Sequence, residues 1–126
     1  MARVLVVDDV ETYRHYLKLE LEEEGHEVET ARNGHDAILI GERFRPDLLV
    51  VDWMLKNDHD GLDVSDAIRV NVPEMRTILI TGFPSNELRQ RATASKIARF
   101  VKKPFSLADI VDTVKEVLSD PVVENV

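Results

Sequence analysis

The chain reads as an α/β protein, a doubly wound sheet of five parallel strands each followed by a helix. Three observations lead there. Short β-branched, apolar runs recur five times along the 126 residues and alternate with segments of helical periodicity. One of them, residues 48–51, is apolar without interruption, as strands buried on both faces are. Four runs stop at a polar signature: Asp8-Asp9 after Val7, Asp52 after Val51, Thr81 after Ile80, and Lys103-Pro104 soon after Phe100-Val101.

The first strand spans about residues 3–8, and a helix over about 10–24 places Tyr13, Tyr16, Leu17 and Leu21 at helical spacing. Gly25 ends it, the residue best suited to the left-handed position after a helix. A short strand over 27–31, a turn at Asn33-Gly34, a helix over about 35–45 and the breaker Pro46 complete a βαβ start. The buried strand at 48–51 leads into a polar loop through His59, Asp60 and Gly61, and long loops at such an edge are commonly functional. A helix near 62–70, a strand at 77–81, a helix near 85–94, a strand near 98–102 and a last helix over 107–118 follow. Ser106 with Asp109 forms a capping pattern for that last helix. Alternation of this kind implies right-handed crossovers with helices on both faces. For five strands the expected arrangement is the flavodoxin-like order 2-1-3-4-5.

Size and composition narrow the function. One domain of 126 residues buries roughly two-thirds of its unfolded surface. No apolar stretch approaches the roughly 20 residues of a membrane span, and no export signal precedes the first strand, so a cytoplasmic protein is expected. The absence of cysteine excludes disulfides, thiol catalysis and thiolate metal sites. A net charge of −8 argues against direct binding of nucleic acid, which needs clustered Lys and Arg.

Ligands of open parallel sheets bind outside the carboxyl ends of the strands. The four signatures therefore converge as three carboxylates, a hydroxyl and an ammonium, a set suited to Mg²⁺ and a phosphoryl group. Taken singly they are weaker: Asp9 alone reads as a helix cap and Thr81 alone as a turn residue. Their order and register promote them. Lys102 reads as a solvated neighbour, because Lys103 abuts Pro104. His15, His26, His35 and His59 lack metal-ligand spacing and read as surface residues. Glu22-Glu23-Glu24 reads as a solvated helix end.

On these residues the chain resembles the receiver domain of two-component response regulators over nearly its whole length. The resemblance implies a receiver domain at 1–119, with 120–126 a tail or the start of a linker. It implies Asp52 as phosphoacceptor, and Asp8, Asp9, Asp52 and the Met54 backbone carbonyl as holders of Mg²⁺. Thr81 is then the switch hydroxyl, Lys103 the family's lysine with a cis peptide to Pro104, and Phe100 the aromatic switch position. Implied partners are a sensor histidine kinase or a histidine phosphotransfer protein, and a downstream protein or fused output domain. The chain would catalyse only its own phosphorylation and slow dephosphorylation.

This sequence departs from the family pattern at three places. Lys56 stands where the loop after the acceptor usually has proline, and Asp60-Gly61 comes one residue late. Lys96 replaces the usual glycine after the fourth helix, and Phe100 has no hydroxyl. Met54 and Phe83, two residues after acceptor and switch, are apolar and are expected to shield a phosphoryl group from water. Among competitors, an aspartate-nucleophile phosphohydrolase needs Asp-x-Asp after the first strand, and position 10 is Val. A flavin module needs a Ser/Thr/Gly-rich loop there, which Val10-Glu11-Thr12 does not provide. A phosphorylation-independent, receiver-like interaction module is the remaining alternative.

Overall fold

The computed structural model describes residues 2–55, 59–83 and 85–119. Five strands, β1 (Arg3–Val7), β2 (Glu27–Ala31), β3 (Leu48–Asp52), β4 (Arg76–Thr81) and β5 (Arg99–Lys102), form one parallel sheet in the order β2-β1-β3-β4-β5. Helices α1 (Glu11–Glu23), α2 (Gly34–Phe44), α3 (Gly61–Asn71), α4 (Asn86–Ala94) and α5 (Leu107–Ser119) alternate with them. This is the expected doubly wound arrangement, and no element end differs from the sequence reading by more than one residue.

The apolar strand runs have a simple cause. Alternate side chains point to opposite faces, so Leu5, Val7, Leu49, Val51 and Leu79 pack under α2, α3 and α4, while Val4, Val6, Leu48, Val50, Ile78 and Ile80 pack against α1 and α5. Both faces are covered. Each fully buried Leu, Ile or Val contributes about 1.5–3 kcal/mol relative to exposure, which makes the two cores the source of the scaffold's rigidity. Leu17 and Leu21 seat α1, and Ile110, Val114 and Val117 seat α5. The expectation that Tyr16 joins that stripe fails: it is exposed, stacking edge-on with His15.

Helix ends follow their sequence signals. After α1, Gly25 takes φ +96°, and the pair of bonds Gly25 N–H to Glu22 O and His26 N–H to Leu21 O closes a Schellman motif. Lys96 does the same after α4 at φ 58°, with Lys96 N–H bonding Thr93 O and Ile97 N–H bonding Ala92 O. The usual glycine is thus replaced without rebuilding the turn. The turn at Asn33 is also a helix cap, since its side chain accepts from Asp36 N–H at 2.8 Å and α2 begins at Gly34. Ser106 and Asp109 exchange the expected capping bonds. One reading needs correction. His26 is partly buried, its Nδ1 accepting from Ala2 N–H, and burial holds its imidazole below the usual range. The acidic helix end is solvated as expected, Glu22, Glu23 and Glu24 all being exposed, with surface pairs from Glu22 to Lys18 and from Glu24 to Lys115. No helix among the described residues is long and apolar enough to cross a membrane.

Candidate functional site

The carboxyl ends of β1, β3 and β4 and the loop after β5 bring the predicted groups together. Asp8 follows β1, its backbone N–H bonding Ala31 O of β2, and its side chain is 1% exposed. Oδ1 accepts from Val10 N–H at 2.8 Å. Oδ2 has no hydrogen-bond partner among the described residues, and Lys103 Nζ stands 3.7 Å away. Burial pushes the Asp8 carboxyl up to about 6, with the Asp52 charge adding to the rise and the Val10 N–H and Lys103 opposing it.

Asp52 is the last residue of β3 and only 6% exposed. Lys103 Nζ donates to its Oδ2 at 2.9 Å, and Met54 N–H donates to its Oδ1 at 3.3 Å. Burial works against the Lys103 charge, but the hydrogen bond to Asp52 and the charges of Asp8 and Asp52 outweigh it, holding the ammonium above its ordinary range. The Tyr13 ring also lies 4.9 Å from Nζ and is braced by Phe105. The Lys103-Pro104 peptide is cis, as expected.

Thr81 ends β4, 3% exposed, and its Oγ1 accepts from Phe83 N–H at 3.2 Å. Its carbonyl accepts from Lys103 N–H at 2.9 Å, so the hydroxyl and the lysine are carried by bonded backbones. A common device shapes all three strand ends. Asp8, Asp52 and Thr81 each accept the N–H two residues on, at Val10, Met54 and Phe83, so each functional side chain folds its own loop. The residues at those N–H groups point outward, Met54 at 71% and Phe83 at 88% exposed.

Oxygens of Asp8, Asp9 and Asp52 lie within 4.8 Å of one another. Like charges about 4 Å apart repel by about 1 kcal/mol in water and about 4 at an effective dielectric of 20. One ammonium does not balance three carboxylates, and the unpartnered Asp8 Oδ2 offers an oxygen ligand. Hard oxygen donors with one or two carboxylates suit Mg²⁺, so the residues present fit that ion. Asp9 does not cap α1, since Val10 holds the cap position without a side-chain bond. Phe100 is half-buried on the face beneath α4, in register with Leu79, with Arg89 over its ring at 5.6 Å. Lys102 is exposed. Lys56 lies outside the described residues.

Sequence reading missed four contributors. Tyr13 and Phe105 brace Lys103; Arg14 donates to the Asp8 carbonyl at 2.7 Å; and a Cβ on Gly61 would sit 2.6 Å from the Asp52 carbonyl oxygen. Gly61 was detectable as a glycine at the mouth of the loop, and Phe105 as an aromatic after Pro104. A separate cavity of about 730 Å³ opens at the amino end of the strands, but its cations are engaged: Arg45 with Asn71 O, Arg76 with Val117 O, Lys115 with Glu24.

Comparison with known proteins agrees with this geometry. A profile of the response regulator receiver domain matches residues 4–115. The transcriptional regulatory protein TrcR of Mycobacterium tuberculosis is 34% identical over 116 residues, which cover 92% of this chain and 45% of TrcR. The response regulator protein VraR of Staphylococcus epidermidis is 30% identical, with 90% of this chain and 55% of VraR covered. The chain thus spans about half the length of these curated relatives. Among solved structures, the Vibrio cholerae chemotaxis protein CheY4 superposes with a TM-score of 0.86 at 28% identity, covering 93% of this chain and 98% of that one. A CheY-like receiver domain protein from Methanospirillum hungatei gives 0.87 at 28% identity, covering 94% of each chain. By its fold, its strand-edge carboxylates and the profile match over residues 4–115, the chain belongs to the response regulator receiver domain family.

Proposed function

We propose that Asp52 accepts a phosphoryl group from a phosphohistidine of a sensor histidine kinase or histidine phosphotransfer protein, and that the modified chain signals through a changed surface in the cytoplasm. One observation carries this reading: a recessed Asp52 carboxylate, held by Lys103 at 2.9 Å, within a cluster of three acidic side chains. Phosphoryl transfer passes through a loose transition state in most analyses, so positioning and charge matter more than nucleophilic strength. An Asp52 oxygen bonds to phosphorus while the donor's P–N bond breaks and its electron pair returns to the imidazole. Lys103 orients the carboxylate before transfer and donates to a phosphoryl oxygen after it. Thr81 Oγ1 already accepts from Phe83 N–H, which leaves its own O–H free to donate. Asp8, Asp9, Asp52 and the Met54 carbonyl would hold Mg²⁺, which when bound would supply positive charge against the phosphoryl oxygens.

The switch follows from these donors. New bonds from Lys103 and Thr81 draw the loops after β5 and β4 inward, and Phe100, on the adjoining strand, repacks by contact alone because it has no hydroxyl. Moving a population from 1:99 to 99:1 takes about 5.5 kcal/mol, within reach of a few charge-assisted bonds. The output is a downstream protein or a fused output domain, in keeping with relatives about twice this length, with no direct nucleic-acid contact by this domain.

The test is intact mass after incubation with Mg²⁺ and acetyl phosphate. One hydroxylamine-labile phosphoryl group on the native chain and none on Asp52→Asn supports the reading. No gain under conditions where Mg²⁺ binds overturns it in favour of a phosphorylation-independent interaction module.

A further inference from the structure

Helix α4 is seated by a small apolar contact supplemented by polar bonds. It sinks Leu88 and Ala92 into the core beside the half-buried Phe100. At its carboxyl end, Arg69 of α3 donates to Ser95 O at 2.8 Å and Lys96 O at 3.2 Å, and Ser95 Oγ donates to Asp66 at 3.2 Å. Toward Asp52 the tie among the described residues is a single side chain, Arg91. The Arg91 guanidinium lies 5.0 Å from the centre of the Trp53 ring and 3.3 Å from Asp60 Oδ2.

Those two partners bracket the loop that follows Asp52. Trp53 is the next residue, with its N–H fixed to Ile80 O at 2.8 Å, and Asp60 caps α3 through a reciprocal pair of bonds with Asp63. The loop's neck is closed by Gly61 N–H to Trp53 O at 3.0 Å, pressed against the Asp52 carbonyl. Arg91 therefore reads both ends of the segment attached to the acceptor. An exposed ion pair and an exposed cation–π contact each add little stability, but together they fix a position. Arginine suits this because its plane stacks on the ring while its edge donates to the carboxylate.

We infer that Arg91 is a positioning residue that ties the seat of α4 to the loop behind Asp52, so that a change at the acceptor is passed to α4 through Trp53 and Asp60. The part of this inference that concerns phosphorylation rests on the proposed role of Asp52; the resting tie does not. Hydrogen exchange of the amides of α4 measures both. Without a phosphodonor, R91Q and D60N should each speed exchange across α4 roughly 3–10-fold. The double variant should be no faster than the faster single one, and R91K should recover part of the protection. Asparagine at position 60 retains the cap, and unchanged protection of β3 and β4 shows that the fold is intact. An R91Q chain whose α4 exchanges within twofold of native overturns the inference, whatever happens at Asp52.

With Mg²⁺ and acetyl phosphate, mass and exchange are read on the same samples. Equal phosphoryl gain in native and R91Q chains, with the α4 response of R91Q reduced to a third or less, supports the coupling. An undiminished response overturns it. Failure of the native chain to gain mass overturns the acceptor reading instead, and the resting arm still decides the tie.

Discussion

Replacing Asp8 by Asn should stabilise the metal-free domain, and by an amount that depends on pH in a definite direction. The Asp8 side chain is buried, one oxygen satisfied by Val10 N–H and the other unpartnered. Its carboxyl is pushed from 3.8 to about 6, chiefly by burial. At about 1.36 kcal/mol per pH unit, holding it ionised in the fold costs roughly 3 kcal/mol at neutral pH. The folded form binds this proton more tightly than the unfolded one, so the native chain is favoured below about pH 4 and loses that stability as pH rises through about 6. Asn keeps the acceptor for Val10 N–H and does not titrate. It also turns an amide N–H₂ toward Lys103, which offsets part of the gain, leaving about 1–3 kcal/mol at pH 8. For a chain of this length that is a Tm rise of roughly 5–10 °C. Thermal and urea unfolding in EDTA, at pH 8 and pH 4.5, measure it, and the gain should be smaller at the lower pH by about 2 kcal/mol. Saturating Mg²⁺ should stabilise the native chain more than the variant, because binding adds RT ln(1 + [L]/Kd) only where the ligands are intact. A variant no more stable than native at pH 8, or an advantage independent of pH, would refute this account of the site.

Other consequences concern packing, backbone and chemistry. Ser65 Oγ and Thr77 Oγ1, both fully buried, share one hydrogen bond of 2.8 Å; Thr77→Val alone should cost about 1–3 kcal/mol in urea unfolding, and adding Ser65→Ala should recover most of it. Lys96→Gly should raise stability by about 0.5–1 kcal/mol by relieving φ 58°, while Lys96→Ala should not. Met54 and Phe83 are exposed apolar side chains two residues after Asp52 and Thr81, the proposed acceptor and switch; if Asp52 is the acceptor, the phosphorylated chain should lose its phosphoryl group slowly, and Met54→Asn with Phe83→Glu should shorten its half-life several-fold by mass spectrometry. A native half-life of seconds would contradict that shielding.

The legible part of this protein was what strand ends and periodicity encode. Residues 48–51 could be read as doubly buried because no polar side chain interrupts them, and Asp52 followed as the first charge past the buried run. Lys96 was legible as a missing glycine, and the backbone resolves it by placing lysine in the left-handed region. Tyr16 was misread because helical spacing gives an angle around α1 but not how far the neighbouring elements reach. His26 was misread because its partner, the Ala2 N–H, is 24 residues away and lies on another strand's approach.

What stayed hidden has a common physical origin. Tyr13 under Lys103, Arg14 on the Asp8 carbonyl and Arg91 across Trp53 and Asp60 are contacts between long side chains on separate elements. Such side chains have several rotamers of similar energy, and their partners are selected only after the sheet order has set which loops adjoin. The first coordination of the site is different in kind: Asp8, Asp52 and Thr81 accept bonds from amides two residues away, so short-range sequence already determines how each is presented. Local turns thus present the groups proposed to react, and the tertiary arrangement supplies the cations and rings that steady them. Substitutions in the first group should therefore abolish chemistry, whereas those in the second should alter how the rest of the domain responds to it.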